Sequence, residues 1–185
     1  MALTTLLYYW EPIYTLKEVK AINKKLKKDF LRTDTTSLDA KGVVKTSKVE
    51  AILWKDAKKY LHKFNAHVRF RNSIAFGFDI FPENDYDWLF FNEYNSKASA
   101  EYAWHIDGHA YTPSDIKLTA LLNLSEAPYE GGKLEINAMK HSSVPEFDTP
   151  GTMVVFPSFF LHRVTPVTQG VRNSLAFLIT GKRWT

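Results

Sequence analysis

The stretch GTMVVFPSFFLHRVTPVTQGVRNSLAFLIT, residues 151–180, decides the fold class. Its short runs of β-branched, aromatic and aliphatic residues are cut by Pro157, Pro166 and Gly170. They are too brief for helices and are bounded by turn formers, so they read as strands. Toward the N-terminus the same texture continues back to about residue 73. Strands are expected at Ile74–Ile80, Trp88–Tyr94, Ala100–His105, Lys117–Leu124, Gly132–Asn137, Thr152–Phe156, His162–Val164 and Ser174–Thr180. Pro82-Glu83-Asn84-Asp85, Ala127-Pro128, Gly131-Gly132 and Thr149-Pro150-Gly151 supply turns between them. Eight short strands in succession predict a two-sheet jelly roll or barrel.

The first 72 residues have a different period. From Thr15 to Phe30, Leu16, Val19, Ile22, Leu26 and Phe30 form an apolar stripe with lysines around the rest of the circumference, which predicts a surface helix. A second helix is expected from Ser47 to about Val68, with Ser47 and Glu50 as a capping box. Between them, residues 32–46 are polar and read as a surface loop that could cover a site. The opening Met-Ala-Leu-Thr-Thr-Leu-Leu-Tyr-Tyr-Trp reads as a buried first strand. The expected architecture is therefore mainly β with flanking helices, an α+β chain. It forms one domain over residues 1–185, with 1–72 as helical support and 73–185 as the jelly-roll core.

Composition narrows the function. The chain has 185 residues, 45% apolar and 15% aromatic, enough for a real core. Without cysteine it has no disulfide, zinc–thiolate site or thiol nucleophile. No apolar run approaches a membrane span, and the opening lacks the basic start and small-residue cleavage site of a secretory signal, so a cytoplasmic location is expected. Residues 1–72 carry 16 Lys/Arg against 7 Asp/Glu, and residues 73–185 carry 8 against 13. The basic excess reads as the solvated faces of two lysine-rich helices, which argues against nucleic acid as a partner.

The chemistry rests on His105-x-Asp107, answered by His162 and then by Arg172. Residues i and i+2 of a strand share a face, so His105 and Asp107 at a strand end can reach one ion together. Two imidazoles and a carboxylate are the facial ligand set of non-haem Fe(II), which leaves positions open for a co-substrate and O2. Mn or Co suits the same donors, and zinc stays chemically possible. Arg172 enters the apolar strand Ser174-Leu175-Ala176-Phe177-Leu178-Ile179 and needs an anion if it points inward. A dicarboxylate would supply it, and Ser174, on the same strand face, could add a hydroxyl. Trp104, Phe156, Phe159 and Phe160 are candidate walls against water.

The segments from Tyr102 to Asp107, Glu130-Gly131-Gly132-Lys133-Leu134, Pro150 to Ser158, and His162 to Ser174 resemble the 2-oxoglutarate and Fe(II)-dependent dioxygenases of the prolyl 4-hydroxylase-like branch. The matching motifs run from about residue 72 to 181. The resemblance implies a double-stranded β-helix packed against the N-terminal helices. It implies Fe(II) on His105, Asp107 and His162, and the C5 carboxylate of 2-oxoglutarate on Arg172, helped by Ser174 and Tyr94. Tyr102 would lie near co-substrate and substrate. O2 is then the oxidant, ascorbate a reductant, and the products are succinate, CO2 and a hydroxylated prolyl residue in a peptide or protein. The alternative substrate is a free amino acid or other small molecule. Two departures stand out: Phe177 and Leu178 occupy the region where related prolyl hydroxylases often carry Trp, and Arg172 stands where collagen-type enzymes usually use Lys.

Overall fold

The computed structural model describes residues 7–29, 31–32, 42–107, 114–138 and 141–184. In chain order the N-terminal elements are β1 (Tyr9–Pro12), α1 (Leu16–Asp29), β2 (Leu31–Arg32), β3 (Lys48–Leu53) and α2 (Trp54–Arg71). They are followed by β4 (Trp88–Asn95), β5 (Tyr102–His105), β6 (Asp115–Asn123), β7 (Glu130–Gly131), β8 (Leu134–Asn137) and β9 (His141–Ser143). The chain closes with β10 (Thr152–Pro157), β11 (Leu161–Val164), β12 (Val167–Gln169) and β13 (Val171–Gly181). Seven strands form a major sheet in the order β1-β10-β6-β13-β4-β3-β2, four form a minor sheet in the order β5-β11-β8-β9, and β12 pairs with β7. All pairings among these strands are antiparallel. This is the jelly-roll arrangement expected from the strand pattern.

The major sheet is covered on both faces, which is why its central strands are apolar almost throughout. On one face Leu118, Ala120 and Leu122 of β6, Leu175, Phe177 and Ile179 of β13, and Leu89 and Phe91 of β4 pack against Val19, Ile22 and Leu26 of α1 and Ala57, Leu61 and Phe64 of α2. Each buried Leu or Phe contributes roughly 1.5–3 kcal/mol. On the other face Leu121, Val154 and Phe156 meet Leu134 and Ile136 of the minor sheet, closed by Val144 and Phe147. The helices therefore brace the back of the sheet, and the space between the sheets is free for chemistry. The exposed lysines of α1 lie with that bracing layer.

Several expectations are corrected. The expected Thr15–Phe30 helix is α1, and its capping box is Thr15 with Glu18: the Glu18 carboxylate accepts from the Thr15 amide (2.7 Å), and the Thr15 hydroxyl accepts from the Glu18 amide (3.3 Å). Ser47 and Glu50 form no capping box. Residues 48–53 instead pair with β4, and the helix begins at Trp54. A short apolar run such as Lys48–Leu53 fits both periods, and pairing with β4 decides in favour of the strand. The strand expected at Ile74–Ile80 is absent. α2 runs on through a π-helical turn at Asn72–Phe76 that Gly77 ends with φ 69°, and only Ile80 makes a bridge, to Gly181. Strand Gly132–Asn137 shortens to β8 because Gly131 and Gly132 both take positive φ in a turn. Of the first strand expected at Met1–Trp10, residues 1–6 lie outside the described residues; the described strand β1 alternates between half-buried and exposed, with Trp10 41% exposed.

Candidate active site

Two strand ends and one turn bring the three expected metal-ligating side chains together. His105 ends β5 and lies directly opposite His162 of β11. Their rings are 4.1 Å apart between centroids. Asp107, just past β5, is anchored by its amide, which donates to the Ser158 carbonyl (3.0 Å). Its two carboxylate oxygens face the two imidazoles, Oδ1 at 3.6 Å from His105 Nε2 and Oδ2 at 3.5 Å from His162 Nε2. Donors about 2.1 Å from a shared ion lie roughly 3.0–3.4 Å apart, so the cluster fits one ion with little adjustment. It is the one such group of three among the described residues.

The surroundings prepare these donors. His105 Nδ1 lies 2.8 Å from the Ala103 carbonyl and His162 Nδ1 2.9 Å from the Phe160 carbonyl. Each Nδ1–H therefore donates to its own strand, and each Nε2 lone pair faces the cluster. Burial, with His162 as the second cause, pushes His105 down to about 4 and keeps it neutral near pH 7, the form a metal needs. The Thr119 hydroxyl donates to Asp107 Oδ2 (2.6 Å). Thr119 escaped the sequence reading, although one polar residue inside Leu118–Leu122 was a visible signal. Phe156 stands edge-on to His162 at 4.8 Å and Tyr102 stacks on His105 at 3.4 Å. Tyr102 and His105 are three residues apart and would face opposite ways in a regular strand. An extra residue in β5, where the three steps from Tyr102 to His105 face two steps from Val164 to His162 of β11, puts them on one side. Trp104 lies instead against Arg163, and Phe159 is 47% exposed, so neither walls the cluster as expected.

Across the cleft the major sheet presents a polar stripe. Tyr94 is directly opposite Arg172, and Ser174 directly opposite both Asn92 and Asn123. Arg172 is 1% exposed. Its guanidinium lies 5.1 Å from the Tyr94 ring and 5.3 Å from the Phe147 ring, and Nη1 donates to the Ser174 hydroxyl (3.0 Å). Its Nε and Nη2 have no partner, which leaves a buried cation in need of an anion. Burial raises the Tyr94 phenol, Arg172 opposes this, and the Asp107 carboxylate adds to it. The phenol thus stays a hydrogen-bond donor and senses both ends of the cleft. Tyr129, also missed in the sequence, lies within 3.4 Å of both Asn123 Nδ2 and Asp148 Oδ1.

The Gly131-Gly132 pair now has a physical reason. A Cβ on Gly132 would sit 2.8 Å from Arg172 Cδ and 2.9 Å from Val167 Cγ2, at φ 57°. Gly132→Ala is expected to push against Arg172 and Val167 at a left-handed position and to destabilise the fold by about 1–3 kcal/mol. A thermal melt compared with wild type checks it; an unchanged melting temperature would remove Gly132 from the Arg172 cradle.

The loop expected at residues 32–46 is described only at its ends. There, Ala103 donates to the Val44 carbonyl (2.9 Å), Lys45 bridges to Tyr102, and the Lys45 ammonium lies 4.6 Å above the Tyr102 ring. The loop's return is thus stitched to the strand that carries His105. Residues 33–41, Gly108 and His109 lie outside the described residues. His62 and His67 are on α2, and His67 pairs with Glu11 (3.0 Å).

A double-sheet jelly roll with a His-Asp-His cluster facing a buried arginine defines a class, and the comparisons agree with it. Residues 89–180 match the 2OG-Fe(II) oxygenase superfamily, to which the chain belongs. A PKHD-type hydroxylase of Nitrosomonas eutropha is 35% identical over 91 residues, covering 45% of this chain and 39% of that protein. The match thus spans about two fifths of the relative's length. A Pseudomonas putida prolyl-4-hydroxylase superposes with TM-score 0.69 at 19% identity, covering 98% of this chain and 96% of that one. The viral collagen prolyl hydroxylase of Paramecium Bursaria Chlorella virus-1, in its 2OG complex, superposes with TM-score 0.71 at 18% identity, covering 95% and 97%. At these identities the solved structures speak to the fold. No helix among the described residues is long and apolar enough to cross a membrane.

Proposed function

We propose that the protein is a 2-oxoglutarate- and Fe(II)-dependent hydroxylase acting on a prolyl residue of a peptide or protein, with residues 1–185 working as one domain. The observation that carries this reading is Arg172, a fully buried guanidinium with two unpaired nitrogens across a cleft from a three-donor metal cluster. His105, Asp107 and His162 hold the iron. Arg172 takes the C5 carboxylate through its free nitrogens, and Ser174 and Tyr94 add hydroxyl donors. Bound there, Fe(II) with 2-oxoglutarate and O2 supplies oxidative decarboxylation to succinate and CO2, and the second oxygen atom enters a substrate C–H bond. The chain's own work is placement and dryness. The two backbone carbonyls fix the imidazoles, Thr119 fixes the carboxylate, and Phe156 and Tyr102 exclude water from the ligand rings. Ascorbate would restore iron oxidised in unproductive cycles.

A free amino acid or other small molecule is the second reading, served by the same cluster and Arg172. The test is succinate release by iron-loaded protein with 2-oxoglutarate, ascorbate and O2, alone and with proline-containing peptides or free amino acids. Stimulation by peptides is the expected result, and stimulation by amino acids alone selects the second reading. No succinate under any condition sinks both.

A further inference from the structure

A concavity of about 500 Å3 is lined by Phe78, Phe81, Lys117, Lys182, Arg183 and Trp184, with Asp79 as its one acid. It is joined to the cluster through the turn after β10. The Ser158 carbonyl accepts from the Asp107 amide (3.0 Å), while the Ser158 amide donates to the Lys117 carbonyl (3.1 Å). The next residue, Phe159, meets Phe78 at 6.4 Å and Trp184 at 6.0 Å, both edge to face, and Phe78 meets Trp184 at 5.5 Å. An aromatic wall with exposed rings thus begins one residue from the anchor of Asp107.

The lining also carries charge. The Lys117 side chain is 3% exposed, and its ammonium sits 3.4 Å from the Trp184 ring centroid and 3.4 Å from Asp115 Oδ2. That same oxygen accepts from the Trp184 amide (2.6 Å), so the tryptophan is fixed at backbone and ring. Gly181 makes the room, since a Cβ there would lie 2.9 Å from Lys117 Cγ. At the rim Lys182 and Arg183 are exposed, and Lys182 pairs with Asp79 at 2.9 Å. Such an exposed pair contributes little and can be exchanged for a ligand carboxylate. Lys117, Lys182 and Arg183 stand against Asp79 in the lining and Asp115 behind it, which leaves one net positive charge.

We propose that this concavity seats the segment of the protein substrate that flanks the oxidised residue, and that this segment carries an acidic side chain next to an apolar or prolyl one. The inference rests on the hydroxylase reading above. Aromatic faces and edges receive the apolar ring, the rim cations receive the carboxylate, and Phe159 leads the chain toward the cluster. This names a specificity: acidic-flanked sites are preferred over basic-flanked ones.

The test is binding, measured by calorimetry with the intact chain. The probes are blocked peptides holding one proline flanked by Leu and either Glu or Lys, with a single-stranded oligonucleotide as a second polyanion. The glutamate peptide is expected to bind about tenfold tighter than its lysine twin at low salt, with the gap closing at high salt. The double variant Lys182→Glu, Arg183→Glu alters two exposed side chains and is expected to reverse the preference at an unchanged melting temperature. Phe159→Ala is expected to weaken both peptides about tenfold. Equal affinity for the twins, a preference that survives the double reversal, or tighter binding of the oligonucleotide would overturn the proposal. Calorimetry needs no turnover, so the two readings separate. Selective binding by a protein that releases no succinate removes the hydroxylase reading, and peptide-stimulated succinate without acidic preference removes this one.

Discussion

Arg172→Met is expected to raise the 2-oxoglutarate concentration needed for half-maximal turnover by at least about 100-fold while leaving the protein as stable as wild type or more so. The two halves share one cause. Arg172 is fully buried, bonded through Nη1 to Ser174 and close enough to the Tyr129 phenol to lower it, and its Nε and Nη2 have no acceptor within hydrogen-bond reach. Charge-assisted hydrogen bonds contribute roughly 1.5–3 kcal/mol each, and 1.4 kcal/mol is tenfold in affinity, so losing two of them gives the stated factor. Without the co-substrate, however, the guanidinium is a desolvated charge with incomplete compensation. Methionine replaces it with an apolar chain between Tyr94 and Phe147. Thermal melts with and without 2-oxoglutarate and metal check both halves: the wild type should gain stability on addition of the acid, and the variant should not. An unchanged requirement for 2-oxoglutarate would mean that another group holds its carboxylate.

His162→Ala is expected to lower succinate production at least about 1,000-fold and to abolish the metal-dependent rise in melting temperature. His162 supplies one of three donors, and removing it leaves His105 and Asp107, which sit on a single strand end and cannot enclose an ion from opposite sides. The fold should persist, because the ring's main apolar contact is the edge of Phe156, itself held in the inter-sheet core. Titration with Co(II), followed by visible absorption, reads the centre without requiring turnover. Wild-type absorption bands in the variant, or wild-type succinate release, would remove His162 from the site.

The order and chemistry of the site were legible in the sequence because they depend on residue type and short spacing. His105 and Asp107 share a strand end, the turn-rich runs after residue 73 alternate as strands do, and Arg172 stands alone in an apolar strand. Thr119 was legible in principle, as the single hydroxyl in the apolar stretch of β6. Lys48–Leu53 was not, because a short apolar run fits a helix turn as well as a strand and only the edge of β4 resolves it. The residues of 74–80 misled for the same reason, since their β-like composition is overridden by the continuation of α2.

What the sequence by itself determined is the set of donors and their order along the chain, since residue types and local periods depend only on neighbours a few positions away. What the tertiary structure alone decided is which of them meet. The direct pairing of His105 with His162, the bulge of β5 against β11 that turns Tyr102 onto His105, and the register that sets Tyr94 against Arg172 depend on contacts between segments tens of residues apart. The orphaned nitrogens of Arg172 belong to the same class. Burial is a property of the packed sheets, and a guanidinium becomes a demand for an anion only once those sheets have removed its water.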